Sequence, residues 1–169
     1  MRTLTIKTGG GGGNFTGGWN HVKITKAKYG EWEGNKYLDI FFEDFPETLN
    51  MRVYSKQAKN GEEFAIGRVF RFANAGLTEA LEGDDGTKVI KLDDSPEQLH
   101  GKDLNIFLFK DGEYYRILTQ PAPTEFVNQI EEFKENDISY WKGKAEKYYN
   151  EYINKSSNGS GDPFSGMPE

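Results

Sequence analysis

Rings and cations interleave over residues 23–56 of this chain: Lys23, Lys26, Lys28, Tyr29, Trp32, Tyr37, Phe41, Arg52, Tyr54 and Lys56. Aromatic faces stack nucleobases for ~1–3 kcal/mol per base whatever the base, and Lys and Arg follow the phosphates. The mixture therefore suits a single-stranded nucleic acid read without much sequence selectivity. Nothing in it would recognise a 2′-hydroxyl, which leaves RNA open beside DNA. A second group, Asp39, Glu43 and Asp44 with Lys36, has the residue types of a metal-dependent nuclease, but Asp39 and Glu43 also fit a plain polar strand face. The two histidines, His21 and His100, lie far apart, there is no cysteine, and no serine sits in a nucleophile-elbow pattern. The chain is thus expected not to be an enzyme and to need no metal or cofactor. A third reading takes the aromatic surface as the interface of a protein-binding module.

The balance of charge bears on the partner. The net charge is −6, which taken whole opposes phosphate binding. Residues 1–61, however, carry nine basic against six acidic side chains, and the acidic excess falls after them. Exposed charges are screened beyond about 8 Å at physiological salt, so a local basic patch can act while the rest of the molecule is acidic. Twelve Phe, nine Tyr and three Trp concentrate the apolar mass in rings. The absence of cysteine removes disulfides and thiolate metal sites. The N-terminus has no apolar signal core and no run approaches a membrane span, so a cytoplasmic protein is expected.

Strands must position these residues. Over residues 19–28, Val22 and Ile24 alternate with His21, Lys23 and Thr25; over residues 37–43, Leu38, Ile40 and Phe42 alternate with Tyr37, Asp39, Phe41 and Glu43. Residues 49–54 place Leu49, Met51 and Val53 inward and Arg52 and Tyr54 outward. Ile66, Val69, Phe70 and Ala73 then fall at helical spacing, predicting a helix over 62–75. A short strand is expected at 88–92. A hairpin follows, 102–109 with 114–118, around Asp111-Gly112. Three strands, a helix and a hairpin are the order of a five-stranded OB barrel with its helix between strands three and four, whose strand two and three face binds oligonucleotides. The fold class is therefore mainly β with some α. The expected parts are a Gly-rich arm over 1–18 containing five glycines at 9–13, the barrel over 19–123, C-terminal helices at 124–133 and 137–154 within 124–155, and a disordered acidic tail over 156–169. The alternative for the outward rings is that they pack under the C-terminal helices, or that a bulge in the first strand exchanges the two faces.

The runs GRVFRFANAG, HGKDLNIFLF and KDGEYYRIL, with the closing DPFSGMPE, resemble the small single-stranded-DNA-binding proteins of tailed phages of the T7 type. The resemblance implies a protein that binds and protects single-stranded DNA during phage replication, recombination and repair, in the host cytoplasm. It also implies that an acidic, Phe-bearing tail recruits replication or recombination enzymes, a role carried here onto Asp162, Pro163 and Phe164. By the same analogy a homodimer is plausible. Only two acids follow Ser156, and Phe164 stands five residues from the end, so this tail departs from the pattern in charge.

Overall fold

The computed structural model describes residues 1–3, 15–83 and 85–154. The first strand organises the rest. β1 (Gly18–Trp32) is 15 residues long and changes partner at a bulge between Ile24 and Lys26. Its first part pairs with β6 (Asp103–Asp111), from Gly18↔Leu108 to Lys23↔Asp103. Its second part pairs with β2 (Asn35–Phe42), from Ile24↔Phe42 to Trp32↔Asn35. The bulge inserts one residue, so Val22, Ile24 and Ala27 all face the core although their spacing breaks strict alternation.

β3 (Met51–Tyr54) pairs with β2 and β7 (Tyr114–Ile117) with β6, giving one antiparallel sheet in the order β3-β2-β1-β6-β7. No ladder joins β3 to β7 among the described residues, so the expected closed barrel is a bent, open five-stranded sheet in its hydrogen bonding. Leu38, Ile40, Met51, Leu104 and Ile106, each at 0 % exposure, form the inner face. Against it packs α1 (Ala65–Phe72) through Ile66, Val69, Phe70 and Phe72. α1 is shorter than its periodicity predicts, with Phe64 at its N-cap and the side chain of the preceding Glu63 closing its first turn. The Glu63 carboxylate accepts from the backbone N–H groups of Ile66 (2.8 Å) and Gly67 (3.0 Å), which a helix start leaves unpaired.

One strand goes unforeseen and one expected helix is absent. The strand at 88–92 exists as β5 (Lys88–Leu92), but it pairs with β4 (Leu77–Glu82), which the sequence did not suggest. β4 is exposed beyond Leu77 and so has no alternation of burial to leave a pattern. The helix at 124–133 is absent. The segment instead forms a small hairpin of β8 (Phe126–Val127) and β9 (Glu132–Phe133). Asn128 decides this locally, since its side-chain oxygen accepts from the N–H groups of Ile130 and Glu131 and its amide donates to Asn74. Phe133 is thereby buried edge-on against Phe72 and Phe126.

α2 (Glu135–Tyr148), continued by a wider turn over Tyr149–Asn154, matches the last expected helix. Trp141 packs on Phe72 with ring centres 5.0 Å apart, Trp19 donates to Glu146, and Tyr149 meets Phe107 and Phe109. α2 therefore covers the outer side of β6 and the start of β1. Within the stretch expected as an arm, Phe15 packs on Phe45 and Tyr115. The five glycines and the tail with Asp162, Pro163 and Phe164 lie outside the described residues.

Candidate nucleic-acid interface

The turn between β1 and β2 fixes the register on which the site depends. Glu33 (φ 52°) and Gly34 (φ 82°) are both left-handed, as a two-residue hairpin turn demands. Directly paired residues share a face, so the outer face of β1, β2 and β3 reads in rows. Trp32 stands beside Asn35; Gly30, Tyr37 and Tyr54 form the next row; Lys28, Asp39 and Arg52 the third; Lys26 and Phe41 the last. None of the ring contacts made by α2 among the described residues involves Tyr37, Phe41 or Tyr54. The C-terminal helix leaves this face open.

The third row supplies a fixed cation. Arg52 donates to both carboxylate oxygens of Asp39, at 2.7 and 2.9 Å, across a directly paired position. The bond to Asp39 raises the pKa of Arg52 further and keeps the guanidinium charged. Its carbon lies 3.8 Å from the ring centre of Tyr37, which meets Tyr54 edge to face at 5.5 Å. Tyr37 can lie across β1 because its neighbour there is Gly30. A Cβ at Gly30 would stand 2.5 Å from two ring carbons of Tyr37, Cε1 and Cζ, and from its hydroxyl oxygen. Trp32, 58 % exposed, extends the row of rings at the turn.

Phe41 points outward as strand parity predicts, yet it is only 8 % exposed. Lys26 and Lys28 lie over its ring, at 4.9 and 5.8 Å, so their stems cover the surface that parity alone left bare. Lys26 is in turn held by Glu47 at 2.8 Å, which lowers the Glu47 pKa. Lys28 has no carboxylate within 4 Å among the described residues. Lys23 lies on the other side of the bulge and pairs with Asp103 at 3.4 Å. Lys56 follows Tyr54 past the end of β3 and lines a small cavity with it.

Tyr29 departs from the grouping. It pairs with Leu38 and so belongs to the inner face at the sheet's rim, where its hydroxyl donates to the Asp94 carbonyl at 2.8 Å. Partial burial, with Asp94 and Glu63 nearby, pushes its pKa up to about 12.

The carboxylate group considered for metal chemistry is dispersed. Asp39 is 4 % exposed with both oxygens on Arg52, Lys36 has the opposite strand parity, and Asp44 sits in a left-handed turn. No cluster of three or more His, Asp or Glu side chains fit to hold a metal occurs among the described residues.

The residue types alone missed Gly30 and the anchoring role of Asp39. Both follow once the Glu33-Gly34 turn sets the register, because it brings Gly30 opposite Tyr37 and Lys28 opposite Asp39. Comparison with known protein families, curated proteins and solved structures finds no match to this chain. No helix among the described residues is long and apolar enough to cross a membrane.

Proposed function

We propose that this chain binds and protects single-stranded DNA, without catalysis and with little sequence selectivity, through the outer face of β1, β2 and β3. The observation that carries the reading is the outward row of exposed Trp32 with half-buried Tyr37 and Tyr54, beside the oriented cations Arg52 and Lys28. Rings offer a stacking surface to any base, and a guanidinium already locked by Asp39 loses little freedom when it meets a phosphate.

The fold reading behind the proposal is an OB-type arrangement. What supports it is a long, bulged first strand shared by β2 and β6, a meander of three strands, a helix after the third, and a hairpin completing the sheet. A role in phage replication, recombination or repair, with Phe164 and its acidic neighbour recruiting partner enzymes, rests on sequence resemblance alone.

The test is a double variant, Trp32→Ala with Tyr54→Ala, in the full chain. Titration with a dT oligonucleotide, followed by anisotropy of a label on the DNA, is expected to show a loss of about tenfold or more while the far-UV circular dichroism is unchanged. Wild-type affinity in a folded double variant would remove this face from the account.

A further inference from the structure

β3 is an edge of the sheet, and the chain beyond it doubles back to start α1. Phe64 donates its N–H to the Lys56 carbonyl at 2.9 Å, and Glu63 accepts from the Lys56 N–H at 3.1 Å. These bonds hold the first turn of α1 beside the end of β3. As a result Tyr54, Lys56, Phe64 and Arg68 line one small cavity of about 60 Å³. Phe64 and Arg68 also form the rim of a larger cavity of about 470 Å³ between α1 and the β4–β5 hairpin.

Arg68 is the unusual member. Its guanidinium carbon lies 5.2 Å from the Trp141 ring centre and 5.8 Å from that of Phe64. Among the described residues it has no carboxylate partner, whereas its neighbour Arg71 is bonded to Glu131 at 3.0 Å. Burial, and then the charge of Arg71, lower its pKa, as expected of a cation that has lost water without gaining a counter-ion. The adjoining Phe64 ring is 41 % exposed.

We propose that Lys56, Phe64 and Arg68 form a second nucleotide subsite, in which a phosphodiester lies between Lys56 and Arg68 and a base stacks on Phe64. The subsite rests on the single-strand reading and extends it, carrying the strand past Tyr54 and over the free edge of β3 onto α1. A phosphate presents two oxygens to a guanidinium fork, the geometry that an unpaired arginine satisfies best. An acidic side chain of a protein partner would also satisfy Arg68. Continuity with Tyr54 favours the nucleic acid.

The experiment compares wild type, Arg68→Gln, Phe64→Ala and the control Trp32→Ala, all full-length, against dT oligonucleotides of increasing length at several salt concentrations. On long oligonucleotides Phe64→Ala is expected to bind about tenfold more weakly, and Arg68→Gln to lower the salt slope by about 0.7, the share of one phosphate on a single strand. On oligonucleotides short enough to be held by the sheet face alone, both should bind as wild type does. Arg68→Gln keeps the test open if Phe64→Ala unfolds. Wild-type behaviour of both variants at every length, with Trp32→Ala impaired, would overturn the subsite and leave the sheet-face reading standing. A loss independent of length would also overturn it, since Arg68 would then act by supporting the face. Failure of wild type itself to bind any length would sink the single-strand reading instead.

Discussion

Replacing Gly30 by Ala perturbs the candidate interface without removing any group that would meet nucleic acid. The new Cβ would lie 2.5 Å from the Cε1, Cζ and hydroxyl of Tyr37, where ordinary van der Waals separation begins at 3.4 Å, so the ring must retreat by about 1 Å. Tyr37 is a half-buried side chain whose outer end meets Gly30, and Gly30 is not among the left-handed glycines, so the fold can absorb the change. Ala in a strand also loses less entropy on folding than Gly, by roughly 0.5–1 kcal/mol, which offsets the poorer packing of the displaced ring. Stability should therefore stay within about 1 kcal/mol of wild type. Binding should not, because the retreat disrupts the 3.8 Å seat of Arg52 on the ring and the 5.5 Å approach of Tyr54. With stacking worth ~1–3 kcal/mol per base, misaligning one ring weakens a dT complex by about tenfold. Parallel thermal melts and oligonucleotide titrations measure the two effects. Unchanged affinity at unchanged stability would refute the claim that Gly30 seats Tyr37 for stacking.

Three further outcomes are expected. Asp39→Asn weakens the two bonds to Arg52, and because Arg52 is partly exposed the cost should be only about 1–2 kcal/mol in urea unfolding, accompanied by weaker DNA binding. Tyr29 keeps its proton to about pH 12 in the folded protein but only to about pH 10 when unfolded. Its contribution is complete below pH 10 and is lost as the pH rises to 12, so the melting temperature of wild type should fall more across that window than that of Tyr29→Phe. Asn128→Ala removes the bonds that turn 126–133 into a hairpin and should lower stability by about 1–2 kcal/mol, seen as a lower urea midpoint.

The strands were legible wherever one face is buried. Leu38, Ile40 and Phe42 alternate in sequence and are buried together, and Asp111-Gly112 marks the β6–β7 turn. β4 was not legible because both its faces meet solvent, and residues 124–133 misled because the decisive interaction, Asn128 with its own backbone and with Asn74, is a side-chain geometry that periodicity does not encode. The same limit applies to the site. Parity placed Tyr37, Arg52 and Tyr54 on one face, but it could not foresee that lysine stems would cover Phe41 or that Tyr29 would turn to the other side at the rim. The bulge after Ile24 exchanges the alternation along β1, with Val22 and Ile24 facing the core before it and Ala27 after it and Thr25 and Lys26 both exposed, whereas β2 and β3 keep the faces that alternation predicts.

The most direct test of the central claim is intrinsic Trp and Tyr fluorescence on titration with a dT oligonucleotide, repeated over several salt concentrations and against the matching duplex. Stacking on Trp32, Tyr37 and Tyr54 beside Arg52 and Lys28 predicts strong quenching by the single strand, weak quenching by the duplex, and log affinity falling linearly with log salt. Absence of quenching, together with no shift of the oligonucleotide in a mobility assay, would contradict it and leave the aromatic face to a protein partner.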